Sequence, residues 1–168
     1  MKPIVSIIMG STSDWKVMEK AAIQLNEFKI PFEISALSAH RTPEEVEKFA
    51  REAAPRGIKV ISAAAGMAAH LCGVIAAVTP IPVIGVPINA SFSGMDALLA
   101  IVQMPPGIPV ATVAVNGAQN AAILAAQMLA TGDENIAKTL VEYKENLKQK
   151  IVKATKELEE YKFDFRVI

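Results

Sequence analysis

Five short apolar runs punctuate the chain: IVSIIM at 4–9, FEISAL at 32–37, KVISAA at 59–64, PVIGV at 82–86 and PVATVAV at 109–115. Each is rich in β-branched residues and shows little strict alternation of apolar and polar positions. That is the pattern of strands buried on both faces of a parallel sheet. Stretches of helical character separate them, at about 13–28, 43–54, 68–78, 94–103 and 118–130. In the first, Trp15, Met18, Ala22 and Leu25 fall on one face. In the second, Thr42 suits the N-cap, Pro43 the first helical position, and Glu45 follows three residues after the cap. Strands and helices in alternation predict a three-layer α/β/α domain with a parallel sheet and right-handed crossovers.

The end of the chain departs from this rhythm. From Asp133 to Tyr161 there is no helix breaker, and Ile136, Leu140, Tyr143, Leu147, Ile151, Ala154, Leu158 and Tyr161 recur at spacings of three and four. This is a narrow apolar seam at helical period. A helix of that length is roughly 40 Å long at 1.5 Å per residue. A compact domain of this size has a radius of gyration of about 15 Å. The helix is expected to overrun its own domain and pack its far end on another subunit; the competing expectation is a helix that curls over its own domain.

Composition narrows the function class. The 168 residues suit one domain, 52% are hydrophobic, and 17 basic residues balance 17 acidic ones. A chain with no basic excess is not expected to bind nucleic acid. Cys72 is the only cysteine, so no intrachain disulfide forms, which fits a reducing compartment. The N-terminal apolar run is too short for a secretory signal, and no stretch reaches the length of a membrane span. The expectation is a cytoplasmic protein without membrane contact.

In open parallel sheets, ligands bind beyond the carboxyl ends of the strands. After the first run comes GSTSD. There Gly10 lets a ligand approach the backbone, Ser11 and Ser13 offer hydroxyls, and the next helix offers free N–H groups to an anion. Asp14 would repel a phosphate and suits ribose hydroxyls better; ordinary helix capping explains the same residues. After the second run comes SAHRTP, residues 38–43. Arg41 can fork onto a phosphate, Ser38 can add a hydroxyl, and His40 beside Ala39 is either a proton carrier or a solvated loop residue. After the third run, AAAGMAAHLCG at 63–73 is rich in small residues that can lie flat against a ring, with His70 near a helix start. No metal-ligand cluster, dinucleotide fingerprint, triphosphate loop or nucleophile elbow is present. The combination suggests a nucleoside monophosphate-like ligand and acid–base chemistry.

The motifs MGSTSDW, SAHRTPEE, AAHLCG, GVPI, SGMDALLAIVQMPPGIPVATVAV and NAAILAAQML follow in order over about residues 4–131. Together they resemble the bacterial-type (class I) carboxyaminoimidazole ribonucleotide mutases of purine biosynthesis. The resemblance implies a flavodoxin-like catalytic domain over 1–132 with a C-terminal helical extension over 133–168, a homo-octamer, and an isomerisation that uses no cofactor and no metal. The carboxyl group would move from the exocyclic nitrogen to the ring carbon by decarboxylation and recarboxylation. It implies that His40 transfers the protons, that Ser11 and Arg41 hold the phosphate, and that Asp14 holds the ribose. Gly10, Ser13, Ser38 and Ala39 complete those two loops, and Ala65, Gly66, Ala68, Ala69, His70 and Leu71 would line the base pocket.

Two positions depart from the family pattern AGAGGAAHLPG: Met67 stands for a glycine and Cys72 for a proline. Where such a glycine has positive φ, methionine costs roughly 1–2 kcal/mol, and an inward side chain would narrow the pocket. The nearest rival family is the animal-type carboxylase, which acts on aminoimidazole ribonucleotide and carbon dioxide directly. It carries lysine after the histidine and lacks the second histidine, so Arg41 and His70 favour the mutase. A non-catalytic nucleotide-binding module and a purely structural oligomer are the remaining readings.

Overall fold

A computed structural model describes residues 1–167; Ile168, the last residue of the expected extension, lies outside the described residues. The strands are β1 (Val5–Met9), β2 (Phe32–Ala36), β3 (Val60–Gly66), β4 (Val83–Ile88) and β5 (Ala111–Thr112). The helices are α1 (Trp15–Glu27), α2 (Pro43–Arg56), α3 (Leu71–Val78), α4 (Met95–Val102), α5 (Ala118–Ala130) and α6 (Glu134–Leu158). All strand pairs are parallel and their order is β2-β1-β3-β4-β5. The chain order reverses between β1 and β3, which is the switch point where such sheets open a crevice.

Burial explains the apolar runs. Every residue of β1 and β4 is buried, whereas the edge strands β2 and β5 are only partly covered. Successive side chains alternate between two cores. Ile7 packs with Met18, Leu25, Ala121 and Ala125 of α1 and α5, while Ile8 packs with Val46, Ile75 and Ile101 of α2, α3 and α4. The sheet thus carries helices on both faces. At Gly85 the second core leaves no space for a side-chain carbon against Ile101.

Several boundaries differ from the sequence reading. The fifth strand shrinks from 109–115 to two residues, because its regular register with β4 is lost: after Val113 N donates to Gly85 O, the next bond comes only from Asn116 N to Pro87 O, at a residue whose φ is 58°. The third helix starts at Leu71 and not at residue 68, because Met67 turns the chain at φ 55° after β3. A 3-10 turn over Thr12–Asp14 precedes α1, and Trp15 is 36% exposed while Met18, Ala22 and Leu25 are buried. Thr42 stands at the cap of α2 without capping it through its side chain. Its hydroxyl instead clasps the loop before the helix, accepting from Ser38 N at 2.9 Å and donating to Ser38 O at 3.1 Å.

α6 is long, as its unbroken period predicts, and Asp133 caps it by accepting from the backbone of Asn135 and Ile136. Leu140 is buried, and Tyr143 meets Phe28 edge-on with ring centroids 5.2 Å apart. From Lys144 to Val167 every residue is exposed, including Leu147, Ile151 and Leu158 of the seam. The outer part of the helix therefore stands clear of its own domain and does not curl over it. Among the described residues no helix is long and apolar enough to cross a membrane.

Candidate active site

The loops after β1, β2, β3 and β4 enclose a cavity of about 510 Å³ at the carboxyl edge of the sheet. This is within the size range of small-ligand pockets. Parallel register puts Met9 level with Ala36 of β2 and Ala64 of β3. The loops after β1 and β2 therefore start at one height, while β3 runs two residues further to Gly66 before its own loop turns toward them.

From the β1 loop come Gly10, Ser11, Ser13 and Asp14. Ser11 Oγ accepts from Ser13 N at 3.3 Å and opens the 3-10 turn that leads into α1. Asp14 is partly buried, and that burial raises its carboxyl above the usual range, against the opposing pull of Ser13, the Ser11 backbone and Arg41.

The β2 loop supplies Ser38, Ala39, His40 and Arg41. Arg41 Nη2 donates to Gly10 O at 2.7 Å, and its Nε donates to Ser38 Oγ at 3.2 Å. Nη1 takes part in neither bond of a fork that carries five N–H donors. The guanidinium thus lies beside the Ser11 turn and ties the β1 and β2 loops together.

The β3 loop supplies Ala65, Gly66, Ala68, His70 and Leu71. His40 Nε2 and His70 Nδ1 share a hydrogen bond at 2.8 Å, and the rings cross at 82°. Ala69 is the one expected site residue that does not line the cavity. It is 2% exposed and points its methyl into the core under the loop. Two lining residues, Met67 and Ala90, were not expected as binding residues. Met67 stood out in the sequence only as a departure from the family pattern. Ala90 lies in the β4 loop, a segment to which no binding role was assigned. Cys72 is fully buried, its thiol is pushed up to about 12 by that burial, and it donates to Ala63 O at 3.3 Å. It is a core residue without nucleophilic character.

Comparison with known proteins agrees with this architecture. A family described as AIR carboxylase matches residues 4–150. The chain is 53% identical to N5-carboxyaminoimidazole ribonucleotide mutase of Pyrococcus horikoshii, over 95% of this chain and 90% of that protein. It is 52% identical to the Bacillus subtilis protein of the same name, over 94% and 99%. It is also 51% identical to phosphoribosylaminoimidazole carboxylase of Schizosaccharomyces pombe, over 94% of this chain but only 29% of that longer protein. The crystal structure of Treponema denticola PurE superposes with a TM-score of 0.82 at 34% identity, covering 93% of this chain and 98% of that one. With its ordered motifs, its sheet order and a match over most of its length, the chain belongs to the AIR carboxylase family.

Proposed function

We propose that this protein is the isomerase that converts N5-carboxyaminoimidazole ribonucleotide into the ring-carbon carboxylate in purine biosynthesis. We further propose that it works without a cofactor, in the cytoplasm, as a homo-oligomer and most specifically an octamer. One observation carries the catalytic reading: the Arg41–Ser11 corner and the His40–His70 pair face a single cavity from adjacent strand ends. The names of the bacterial and archaeal relatives support the same reaction.

In this reading Ser11, the turn N–H groups and Arg41 hold the phosphate, and Asp14 accepts from the ribose hydroxyls. That remote binding orients the reacting end. Ala65, Gly66 and Ala68 form the flat wall against which the imidazole lies. The bond between the exocyclic nitrogen and the carboxyl carbon breaks, its electrons stay on nitrogen, and carbon dioxide is released within the cavity. The ring carbon then forms the new C–C bond and must lose its proton. Nitrogen gains one proton and carbon loses one, so a single group that gives a proton and takes one back suffices. His40 makes that exchange in this reading, and its bond to His70 orients the ring.

The outer half of α6 supports the oligomer. It presents Leu147, Ile151 and Leu158, all left exposed by their own chain, and an apolar seam of this kind is suited to another subunit.

The family description and the fungal relative favour one second reading, a carboxylase that takes aminoimidazole ribonucleotide directly. Assays of the purified protein with each substrate separate the two. Turnover of the carboxyamino compound without bicarbonate is expected. Saturation only by aminoimidazole ribonucleotide with bicarbonate would replace the isomerase reading with the carboxylase.

A further inference from the structure

Among the described residues that line the cavity, Met67 is the only large apolar side chain left mostly exposed, at 60%. It follows Gly66 directly, at the carboxyl end of β3. Its φ of 55° is a left-handed conformation that disfavours any residue with a side-chain carbon. Across the rim stands Ala90 of the β4 loop, close enough that a carbon added to Gly66 would lie 2.9 Å from the Ala90 methyl. Packing does not account for the methionine. Ala69 and Leu71 supply the burial that anchors this loop, and His70 N closes its turn by donating to Ala68 O at 2.8 Å. The chain thus carries an exposed thioether at the mouth of the cavity, on a backbone better suited to glycine.

We infer that Met67 is the hydrophobic cover of the carboxylation subsite. This rests on the isomerase reading. Once the bond between the exocyclic nitrogen and the carboxyl carbon has broken, carbon dioxide has no covalent link to protein or nucleotide until the ring carbon captures it. The gas is small, uncharged and a poor hydrogen-bond acceptor, so enclosure must retain it. Methionine is well matched to such a cover, because it is unbranched, has three rotatable bonds, and its polarizable sulfur packs well on aromatic edges. From the rim, its side chain folds over the imidazole edge and keeps water out while the gas waits. A branch failing at this point releases aminoimidazole ribonucleotide and free carbon dioxide in place of the isomer, with nitrogen protonated as in the productive path.

The test measures that branch in the full-length enzyme, with substrate labelled in the transferable carboxyl group. The readout is the fraction of turnovers that end in free aminoimidazole ribonucleotide. Met67→Ala keeps the backbone restriction and removes the cover. It is expected to raise that fraction about four- to fifteenfold, the factor for losing one or two buried methylene groups. Met67→Leu, with a comparable apolar volume, should stay near the wild-type fraction. Met67→Gly should leak like the alanine variant while unfolding no earlier than wild type, because it relieves the left-handed backbone. An unchanged fraction in Met67→Ala overturns the cover and leaves the isomerase standing. A wild-type enzyme that makes no isomer at all overturns the isomerase reading on which the cover rests.

Discussion

His40 and His70, thirty residues apart in sequence, share one proton between Nε2 and Nδ1 at 2.8 Å. One nitrogen must donate and the other accept, so a pair carrying protons on both could not keep the bond. His40→Asn retains a polar side chain of similar reach but cannot shuttle a proton. It should lower kcat by about 10²–10⁴ while nucleotide binding changes little. Full activity in His40→Asn would sink the assigned role, and lost binding would make the residue a ligand contact and nothing more.

Asp14 provides a pH test with a definite sign. Burial raises its carboxyl above the usual range. It therefore begins to take up a proton on acidification earlier than an exposed aspartate does. If it accepts from ribose hydroxyls, nucleotide affinity must fall as pH drops into that raised window. Because the folded state favours the protonated form, ionised Asp14 opposes folding, so Asp14→Asn should not lower thermal stability. It should weaken nucleotide binding roughly tenfold, the usual scale for one hydrogen bond to a charged group. Equal affinity across the acid range would contradict the assignment.

Away from the cavity, Glu33 joins an edge strand to the neighbouring strand and to α2. Arg56 grips it through both guanidinium nitrogens at 2.8 Å, and the fully buried Ser6 donates to it at 3.1 Å. The bonds from Arg56 are the main cause of a lowered Glu33 pKa. Their stabilisation is complete above the ordinary value of 4.5 and disappears as pH falls through the lowered one. Glu33→Gln should cost about 1 kcal/mol at neutral pH, a modest figure because the pair is partly exposed. In urea titrations that penalty should shrink in acid; a constant penalty would point to packing alone.

Among the described residues, truncation before Glu145 removes only ones that are exposed in the isolated chain. Folding of the remaining domain should survive, as read by its thermal transition. Light scattering should show the oligomer dissociating. A truncated protein that keeps its full mass would place the subunit contacts elsewhere.

Much of this was legible in the sequence, for identifiable reasons. Buried parallel strands impose continuous apolar runs, so β1, β3 and β4 could be read directly, and a 3.6-residue period marked α6 as far as Leu158, where the helix ends short of the Tyr161 expected to close the seam. β5 was less legible: PVATVAV has strand character, but regular pairing with β4 covers only two residues, and the later bond from Asn116 to Pro87 is out of register. Thr42 illustrates a second limit. Its position suits an N-cap, yet the hydroxyl found closer partners in Ser38. At the site, spacing after each strand exposed the β1 and β2 loops. The short stretch 65–71 was harder, because small residues alternate there between cavity and core: Ala68 faces one and Ala69 the other.

The arginine tie has a mechanical consequence for the sheet. β2 is an edge strand whose only neighbour among the described residues is β1, and the Arg41–Gly10 bond rivets the tops of these two strands together. Peeling the edge away would dismantle the Arg41–Ser11 corner in the same movement. An anion that bridges Ser11 and Arg41 would act as a second rivet across that seam. Occupancy and edge integrity are then one linked equilibrium, and a ligand that binds there protects this border of the domain.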